Sequence, residues 1–261
     1  MIAGARVLLT GGSSGIGAAT ARLMARSGAT VGIVGRRAEQ LGAVLEECRA
    51  FQPACRSWVA DLGDLERAES IVDEAVAAFG DLDVLVNNAA IPLRQPVDAL
   101  SPAMVEEAMR VNFFSPVRMT LRILPRMLAR GTGTVVNVAS MGGRVGIPQE
   151  AAYCASKFAL TGWSEATAID LHGTGVSVRL IHPGPIATDI WDRPGNRRPL
   201  IDVPKEPPEV VARAIIEAIG GDRFEHYVPD LKAVVDFKQS DIDGYIATNA
   251  AMAAAGKEGT R

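Results

Sequence analysis

Short apolar runs alternate with longer amphipathic stretches along this chain. Several of the short runs are apolar throughout, which is typical of strands in a parallel sheet that is covered on both faces. The longer stretches repeat apolar residues with helical spacing. The predicted strands are Arg6–Thr10, Thr30–Gly35, Arg56–Ala60, Val84–Val86, Thr134–Val138, Val176–His182 and Glu225–Val228. The predicted helices are Gly15–Ser27, Ala38–Ala50, Asp64–Phe79, Ser101–Arg130 and Ala151–His172.

This alternation of strands and helices predicts an α/β fold with a doubly wound sheet and right-handed crossovers. No linker divides the chain, so we expect one domain over residues 1–261. The stretch Pro183–Pro208 holds seven of the fifteen prolines, and a loop of that length usually covers a binding site. The tail Asp222–Arg261 has no clear pattern, although its Ala-rich part (Asn249–Ala255) is compatible with a helix.

The overall composition excludes several classes of partner. Lys+Arg of 27 and Asp+Glu of 30 give a net charge of −3, which provides no broad basic surface for nucleic acid or an anionic membrane. No apolar run approaches the length of a transmembrane helix. The three cysteines form no disulfide framework, which favours a reduced, cytoplasmic setting. The three histidines have no metal-ligand spacing, so no metal is expected.

A glycine-rich segment joins the first predicted strand to the first predicted helix, with the sequence Thr10-Gly11-Gly12-Ser13-Ser14-Gly15-Ile16-Gly17. Glycines there let the backbone approach a phosphate, and the helix start supplies free N–H groups and the positive end of its dipole. Any tight strand–helix turn also favours glycine. The position of this segment after the first strand of an alternating chain favours dinucleotide binding.

The end of the second strand bears on which dinucleotide is bound. An NAD site of this type has a carboxylate there for the ribose 2′-hydroxyl, whereas this strand ends in Gly35-Arg36-Arg37. A guanidinium can bind a 2′-phosphate through two hydrogen bonds, so Arg36 and Arg37 favour NADP(H). The alternative is that both arginines are merely solvated at a helix start, which leaves NAD(H) possible.

Two further strand ends carry polar side chains. Asp61-Leu62 follows the third strand, and Asn87-Asn88-Ala89-Ala90 follows the fourth. Because open α/β sheets bind ligands at the carboxyl ends of their strands, we expect these residues to contact the cofactor. The alternative is that the Asp and Asn side chains only stabilise the turns that follow the two strands.

Tyr153 and Lys157 are four residues apart on a predicted helix and therefore share one face. A free tyrosine has a pKa of about 10, and a cation within about 4–6 Å lowers it, which suits acid–base work. An ordinary surface helix with an amphipathic tyrosine and an extended lysine is the alternative. Ser140 ends the fifth strand at the same sheet edge, where its hydroxyl can bond a substrate carbonyl oxygen.

Asn112 lies inside the long predicted helix, four residues before Pro116. A helical proline cannot donate to the carbonyl four residues earlier, so we expect a kink and a free carbonyl at Asn112. A freed carbonyl can hold a water that connects Lys157 to solvent. The alternative is that the kink only fits the helix against its neighbours and holds no water.

Together these motifs resemble the short-chain dehydrogenase/reductase family over about residues 5–190. The likeness rests on Thr10–Gly17, Asn87–Ala90, Asn112, Ser140, Tyr153 with Lys157, and Pro183-Gly184-Pro185-Ile186-Ala187-Thr188. It implies a single Rossmann-like domain with a seven-stranded parallel sheet in the order 3-2-1-4-5-6-7.

The resemblance also implies residue roles. Tyr153 is the acid/base, Lys157 binds the nicotinamide ribose and lowers the tyrosine pKa, and Ser140 orients the reacting oxygen. Asn112 anchors a proton-relay water. The implied cofactor contacts are Gly11, Ser13, Ser14, Gly15, Ile16, Gly17, Arg36, Arg37, Asp61, Leu62, Asn88, Ala89, Tyr153, Lys157, Pro183, Gly184, Ile186 and Thr188.

The expected activity is that of an NADP(H)-dependent oxidoreductase that interconverts a carbonyl and an alcohol by hydride transfer. Gly142–Glu150 and Ile190–Pro208 are expected to roof a pocket for an apolar small molecule, with residues 185–208 as the substrate loop. An NAD-dependent dehydrogenase and a non-catalytic dinucleotide sensor are the alternatives. A homodimer or homotetramer is expected, although the tail departs from the usual ending of tetrameric members.

Overall fold

The computed structural model describes residues 2–201 and 203–258. These residues form a seven-stranded parallel sheet in the order 3-2-1-4-5-6-7, which confirms the predicted fold class and strand order. Each predicted strand boundary agrees with the structure to within one residue. The strands are β1 Arg6–Thr10, β2 Thr30–Gly35, β3 Arg56–Val59, β4 Val84–Asn87, β5 Gly133–Val138, β6 Val176–Pro183 and β7 Glu225–Val228.

Helices pack on both faces of the sheet. Those on one face are α1, α2 and α7, and those on the other include α3 and α5. The helices are α1 Gly15–Arg26, α2 Ala38–Arg49, α3 Leu65–Phe79, α4 Pro102–Met109, α5 Ser115–Arg130, α6 Ala151–Asp170, α7 Pro208–Gly220, α8 Lys232–Ser240 and α9 Ile242–Glu258. No helix of the described residues is long and apolar enough to cross a membrane.

Strand β1 illustrates why the buried strands are apolar throughout. Successive side chains of a strand point to opposite faces. Val7 and Leu9 therefore pack with α1, α2 and α7, whereas Leu8 packs with α3 and α5. All three side chains are fully buried. The strand has no solvent-facing side, so its sequence shows no polar alternation.

Side chains cap the starts of α3 and α4. Asp64 Oδ1 accepts a hydrogen bond from the N–H of Arg67 at 3.0 Å. Ser101 Oγ accepts one from the N–H of Met104 at 3.3 Å, with Pro102 at the first helical position. Each cap satisfies a backbone N–H that has no partner inside its helix.

The prediction of one continuous helix over Ser101–Arg130 is wrong. Helix α4 ends at Met109, and Arg110–Phe114 form a π-helical turn before α5. The N–H of Ser115 donates to the carbonyl of Arg110, five residues earlier. This wider turn changes the helical register, and the Asn112 side chain is completely buried. The expected kink is therefore a π turn, and the free carbonyl at Asn112 stays a prediction.

Three helices near the C-terminus were missed wholly or in part. In α7 the residues Val211, Ala212, Ile215 and Ala218 are buried at helical spacing, so the periodic signal is present in the sequence. The predicted loop Pro183–Pro208 ends where α7 begins, and no element is predicted between it and β7. The tail forms α8 and α9, a much longer helical region than the expected Ala-rich segment.

Leu85 provides a test of the core. It is fully buried in β4 and packs against α3 and α5. We expect Leu85→Ala to lower the free energy of unfolding by about 2–5 kcal/mol, because it leaves a cavity that the neighbours fill only partly. Urea denaturation measures the change. Val97→Ala, at a valine that is 77% exposed, is the control and should cost less than about 0.5 kcal/mol. Equal losses in both variants would contradict this packing.

Candidate functional site

A cleft opens at the carboxyl ends of β1 and β4. The strand order reverses here, because β2 and β3 lie on one side of β1 while β4 to β7 lie on the other. Connections leaving the two central strands diverge at such a point, which is where open α/β sheets bind their ligands.

Thr10 connects the two central strands at the floor of this cleft. Its Oγ1 accepts hydrogen bonds from the N–H groups of Asn88 at 2.9 Å and Ala89 at 3.0 Å. Asn88 Nδ2 in turn donates to the carbonyl of Thr10 at 2.9 Å. These bonds hold the turn that follows β4 against the start of the glycine-rich segment.

The glycine-rich segment has the tight backbone turn and close approaches that dinucleotide-binding segments have. A Cβ on Gly17 would lie 2.1 Å from the carbonyl oxygen of Gly11, and one on Gly15 would lie 2.8 Å from Thr188 Cγ2. Gly11 and Gly15 also have φ angles of 73° and 53°, which side chains disfavour. Ser14 makes no side-chain cap at the start of α1, so backbone N–H groups there are available for a phosphate.

Arginine side chains flank this segment. Arg37 donates to Ser14 Oγ at 2.5 Å and to Asp189 Oδ2 at 3.2 Å, and Arg36 Nη1 lies 3.7 Å from Asp61 Oδ2. They line a cavity of about 290 Å³. The expected cofactor contacts that this cavity brings together are Gly11, Ser13, Ser14, Gly15, Ile16, Gly17, Arg36, Arg37, Asp61, Leu62, Asn88, Ala89 and Thr188.

A second cavity, of about 360 Å³, continues from the first. The two share lining residues, among them Ile16, Asn88 and Thr188, so they form one cleft. The other expected site residues that line the second cavity are Ser140, Tyr153, Lys157, Pro183, Gly184 and Ile186.

Tyr153 and Ser140 meet in the second cavity. Ser140 follows β5, and its Oγ accepts a hydrogen bond from the N–H of Gly142 at 3.0 Å. Burial raises the pKa of Tyr153 above its ordinary value, and a side-chain interaction with Ser140 opposes that rise. The phenol of the protein alone is therefore a weaker acid than free tyrosine. The lowering of this pKa by Lys157 stays a prediction for the complex with cofactor.

Lys157 is completely enclosed. Its Nζ donates to the carbonyl of Val138 at 3.0 Å and lies 5.9 Å from the centroid of the Tyr153 ring. Burial lowers the pKa of the ammonium to about 7, because a charged group loses its hydration there.

Asn112 lies behind the cavity and does not line it. Its Nδ2 donates to the carbonyl of Ile91 and to Ser156 Oγ, both at 3.0 Å, and its Oδ1 accepts from the N–H of Ile91 at 2.8 Å. The side chain thus ties the π turn to α6 one residue before Lys157. The proposed water relay at Asn112 stays a prediction.

A buried ion pair that the sequence did not indicate lies at the rim of the second cavity. Arg94 Nε is 2.8 Å from Glu150 Oε1, and the guanidinium carbon lies 5.0 Å from the centroid of the Trp191 ring. Arg94 Nη1 also donates to the carbonyl of Arg197 at 3.1 Å. The pair therefore links the start of α6 to the substrate loop. Because Arg94 and Glu150 are far apart in the sequence, no local sequence pattern predicts that they form an ion pair.

His182, which no sequence motif singles out, contacts the backbone of a site residue. Its Nδ1 lies 2.8 Å from the carbonyl oxygen of Ser140, and its Nε2 lies 2.9 Å from Glu225 Oε1. The ring is completely buried and stacks on Tyr227 with centroids 5.1 Å apart. These contacts fix the backbone from which the Ser140 hydroxyl projects.

The tail forms one wall of the second cavity. Leu231 and Val234 line it, and the hydroxyl of Tyr245 donates to the carbonyl of Gly146 at 2.8 Å. The expected roof segments contribute as well, so the cavity is apolar on several sides. Its apolar lining includes Pro92, Met141, Val145, Ile147, Pro148, Trp191, Leu200, Ile201 and Val203.

The described residues contain no group of three or more His, Cys, Asp or Glu side chains suited to a metal ion.

Comparison with known proteins decides the family. The family model described as short chain dehydrogenase matches residues 5–198. This chain belongs to the short-chain dehydrogenase/reductase family. A D-threitol dehydrogenase of Mycolicibacterium smegmatis is 35% identical over 191 residues, which cover 72% of this chain and 74% of that protein. The ketoacyl reductase HetN of Nostoc is 32% identical over 225 residues, 84% of this chain and 76% of the relative.

Solved structures of this family share the fold. A short-chain dehydrogenase/reductase from Burkholderia phymatum in complex with NAD has a TM-score of 0.85 at 25% identity, covering 93% of this chain and 95% of that one. A metagenomic short-chain oxidoreductase in complex with NADP has a TM-score of 0.73 at 28% identity, covering 86% of this chain and 97% of that one. The protein is accordingly an NAD(P)-binding oxidoreductase with a Rossmann fold.

The enclosed ammonium of Lys157 generates a prediction for stability. The pKa is about 7 in the folded chain and 10.5 for an unperturbed lysine, so between these values the unfolded state binds more protons. The folded protein therefore gains stability from this group as pH rises from 7 towards 10. Lys157→Met removes that dependence. Its stability advantage over the parent should be largest at pH 7 and smaller at pH 9.5.

Urea unfolding of both proteins at the two pH values measures the difference. An advantage of the same size at pH 7 and pH 9.5 would contradict the lowered lysine pKa.

Proposed function

We propose that this protein is an NADP(H)-dependent oxidoreductase that interconverts a carbonyl and an alcohol on an apolar substrate. The observation that carries the proposal is the position of Ser140, Tyr153 and Lys157 on the wall of an apolar cavity that continues into a dinucleotide-shaped cleft. A reacting oxygen beside the first two residues would face the cofactor end of the cleft.

The cofactor would be held in three places. The glycine-rich segment and the start of α1 fit a pyrophosphate, because only glycine is accommodated at Gly15 and Gly17. Asp61 lines the cleft beside the glycine-rich segment and would contact the adenine, and Ile186 and Thr188 line the second cavity and would contact the nicotinamide carboxamide. When bound, NADP(H) supplies or accepts the hydride at nicotinamide C4.

Arg36 and Arg37 favour NADP(H) over NAD(H). They line the part of the cleft beside the glycine-rich segment and Asp61, which we call the adenosine end because the adenosine of the cofactor would bind there. Strand β2 ends at Gly35 without a carboxylate that could bind a ribose 2′-hydroxyl. Both cofactors occur among related structures, so NAD(H) use is the competing hypothesis.

Tyr153 is proposed to transfer the proton. An ordinary tyrosine, with a pKa of about 10, is already protonated at neutral pH, and burial favours the protonated phenol further, so the group can donate to a carbonyl oxygen during reduction. Ser140 orients that oxygen through a hydrogen bond. Lys157 places a cation near the phenol and binds the ribose, while Asn112 anchors the water that returns the proton.

The substrate is proposed to be an uncharged, apolar molecule. The side chains around the reacting position are mostly aliphatic, and the charges of Arg94 and Glu150 at the rim already satisfy one another. A charged substrate group would lose hydration in this cavity without gaining a partner. A non-catalytic dinucleotide sensor would need neither this cavity nor Tyr153 beside Ser140.

We further propose a homodimer or homotetramer, with one domain per chain, in the reducing cytoplasm. Exposed apolar side chains on α5 and α6 support assembly, namely Leu121 (51% exposed) and Ile169 (70% exposed). The tail packs on Met141 and Val145 of the main body, which supports a single domain. The buried thiols of Cys48, Cys55 and Cys154 are not in disulfides, as expected in a reducing compartment.

Tyr153→Phe tests the chemical proposal. Loss of a positioned acid–base group should reduce kcat about 10²–10⁴-fold for ketone reduction, while the Kd for NADPH changes by less than about threefold. Tyr245→Phe removes another buried hydroxyl with the same change of residue type and should keep most of the activity. Steady-state rates and fluorescence titration give the two readouts. Full turnover in Tyr153→Phe would exclude the proposed mechanism.

Cofactor preference is tested with both reduced nucleotides. We expect kcat/KM to be at least about tenfold higher with NADPH than with NADH, because hydrogen bonds between charged groups contribute about 1.5–3 kcal/mol. The double variant Arg36→Gln/Arg37→Gln should lose this preference mainly through KM for NADPH. A wild-type preference for NADH would refute the NADP(H) assignment and leave the oxidoreductase proposal standing.

A further inference from the structure

A third arginine faces the adenosine end of the cleft. Arg36 and Arg37 follow β2, whereas Arg193 comes from the substrate loop, directly after a 3₁₀ turn formed by Asp189–Asp192. All three arginines line the same cavity as the glycine-rich segment. The nucleotide site and the substrate loop therefore meet at this point.

The charges around this point are unbalanced. Asp61 lies opposite Arg36, and Asp189 lies opposite Arg37. Among residues 2–201 and 203–258, no carboxylate lies within ion-pair distance of Arg193. Three guanidinium groups therefore face two carboxylates, which leaves one excess positive charge.

Arg193 is also held in an unfavourable electrostatic position. It is half-buried, and its pKa is lowered by burial and by the neighbouring charges of Arg37 and Arg36, which the carboxylate of Asp189 offsets only in part. A bound anion would relieve the repulsion among the three cations.

A phosphate monoester is the anion that this arrangement fits. It carries close to two negative charges and offers three acceptor oxygens, which matches several guanidinium groups at once. Arg37 also hydrogen-bonds to Ser14 and Ser13 of the glycine-rich segment, so a phosphate at Arg37 would lie beside the bound nucleotide. We propose that Arg193 is the third guanidinium of the adenosine 2′-phosphate site and that the phosphate thereby fastens the substrate loop.

This role connects cofactor binding to the substrate cavity. Trp191 lies two residues before Arg193, lines the apolar cavity, and donates from Nε1 to the carbonyl of Ile186 at 2.6 Å. A phosphate held by Arg193 restrains the backbone that carries Trp191. The cofactor would thus order one wall of the substrate cavity before the substrate enters. The inference rests on the proposed use of NADP(H).

The test uses binding of nucleotide fragments to the full chain rather than turnover. Isothermal titration calorimetry measures the Kd values of adenosine 2′,5′-bisphosphate and 5′-AMP. The wild type should bind the bisphosphate at least about tenfold more tightly. Arg193→Gln should weaken bisphosphate binding about tenfold and change 5′-AMP binding less than about twofold. Arg37→Gln is the positive control, and Arg198→Gln, on an exposed arginine of the same loop, is the matched negative control.

Limited trypsin digestion provides a second readout. Bisphosphate should protect the Arg197–Arg198 region of the wild type from cleavage, and this protection should be lost in Arg193→Gln. Arg193→Lys keeps the charge and should retain an intermediate bisphosphate affinity, which separates loss of charge from general damage to the loop.

The two proposals fail differently. A wild type without preference for the bisphosphate would refute NADP(H) use itself. A wild-type preference that is lost in Arg37→Gln but kept in Arg193→Gln, with protection intact, would refute only the role of Arg193.

Discussion

The hydrogen bonds of Thr10 hold together the two strands on which the whole site depends. Its hydroxyl accepts from two backbone N–H groups after β4, and its carbonyl accepts from Asn88. The glycine-rich segment begins at the next residue, so the position of the nucleotide cleft is set by this junction. The remaining site residues converge on it because all seven strands run parallel and end at one edge of the sheet.

Burial determines the protonation of the side chains that we propose for catalysis. Enclosure raises the pKa of Tyr153 and lowers that of Lys157, so both groups favour their uncharged forms more than they would in water. Such a site costs stability in the protein alone, as is common where function requires polar groups in an apolar cavity. The backbone contacts of Asn112, His182 and Lys157 hold these groups in place despite that cost.

Much of the fold and of the site could be predicted from sequence for local reasons. Strands such as β1 are apolar throughout because both faces are covered, and strand ends carry the polar residues that meet at one edge. The π turn at Asn112 could not be predicted, since its register depends on packing against α6. Nor could Arg94 with Glu150, or Arg193 with Arg37, because their proximity arises only when distant segments fold together. Helix α7 was not predicted, although its buried residues recur at helical spacing.

The proposed function requires the cleft to bring a nicotinamide to a carbonyl beside Tyr153 for direct hydride transfer. The most direct measurement uses NADPH that carries two deuterium atoms at C4. An apolar ketone is reduced with it in ordinary water, and the position of deuterium in the product is determined. Mass spectrometry and proton NMR should find one deuterium on the carbinol carbon of the product and none elsewhere. Alcohol formed without deuterium at that carbon, or no alcohol from any ketone in an apolar panel, would contradict the account.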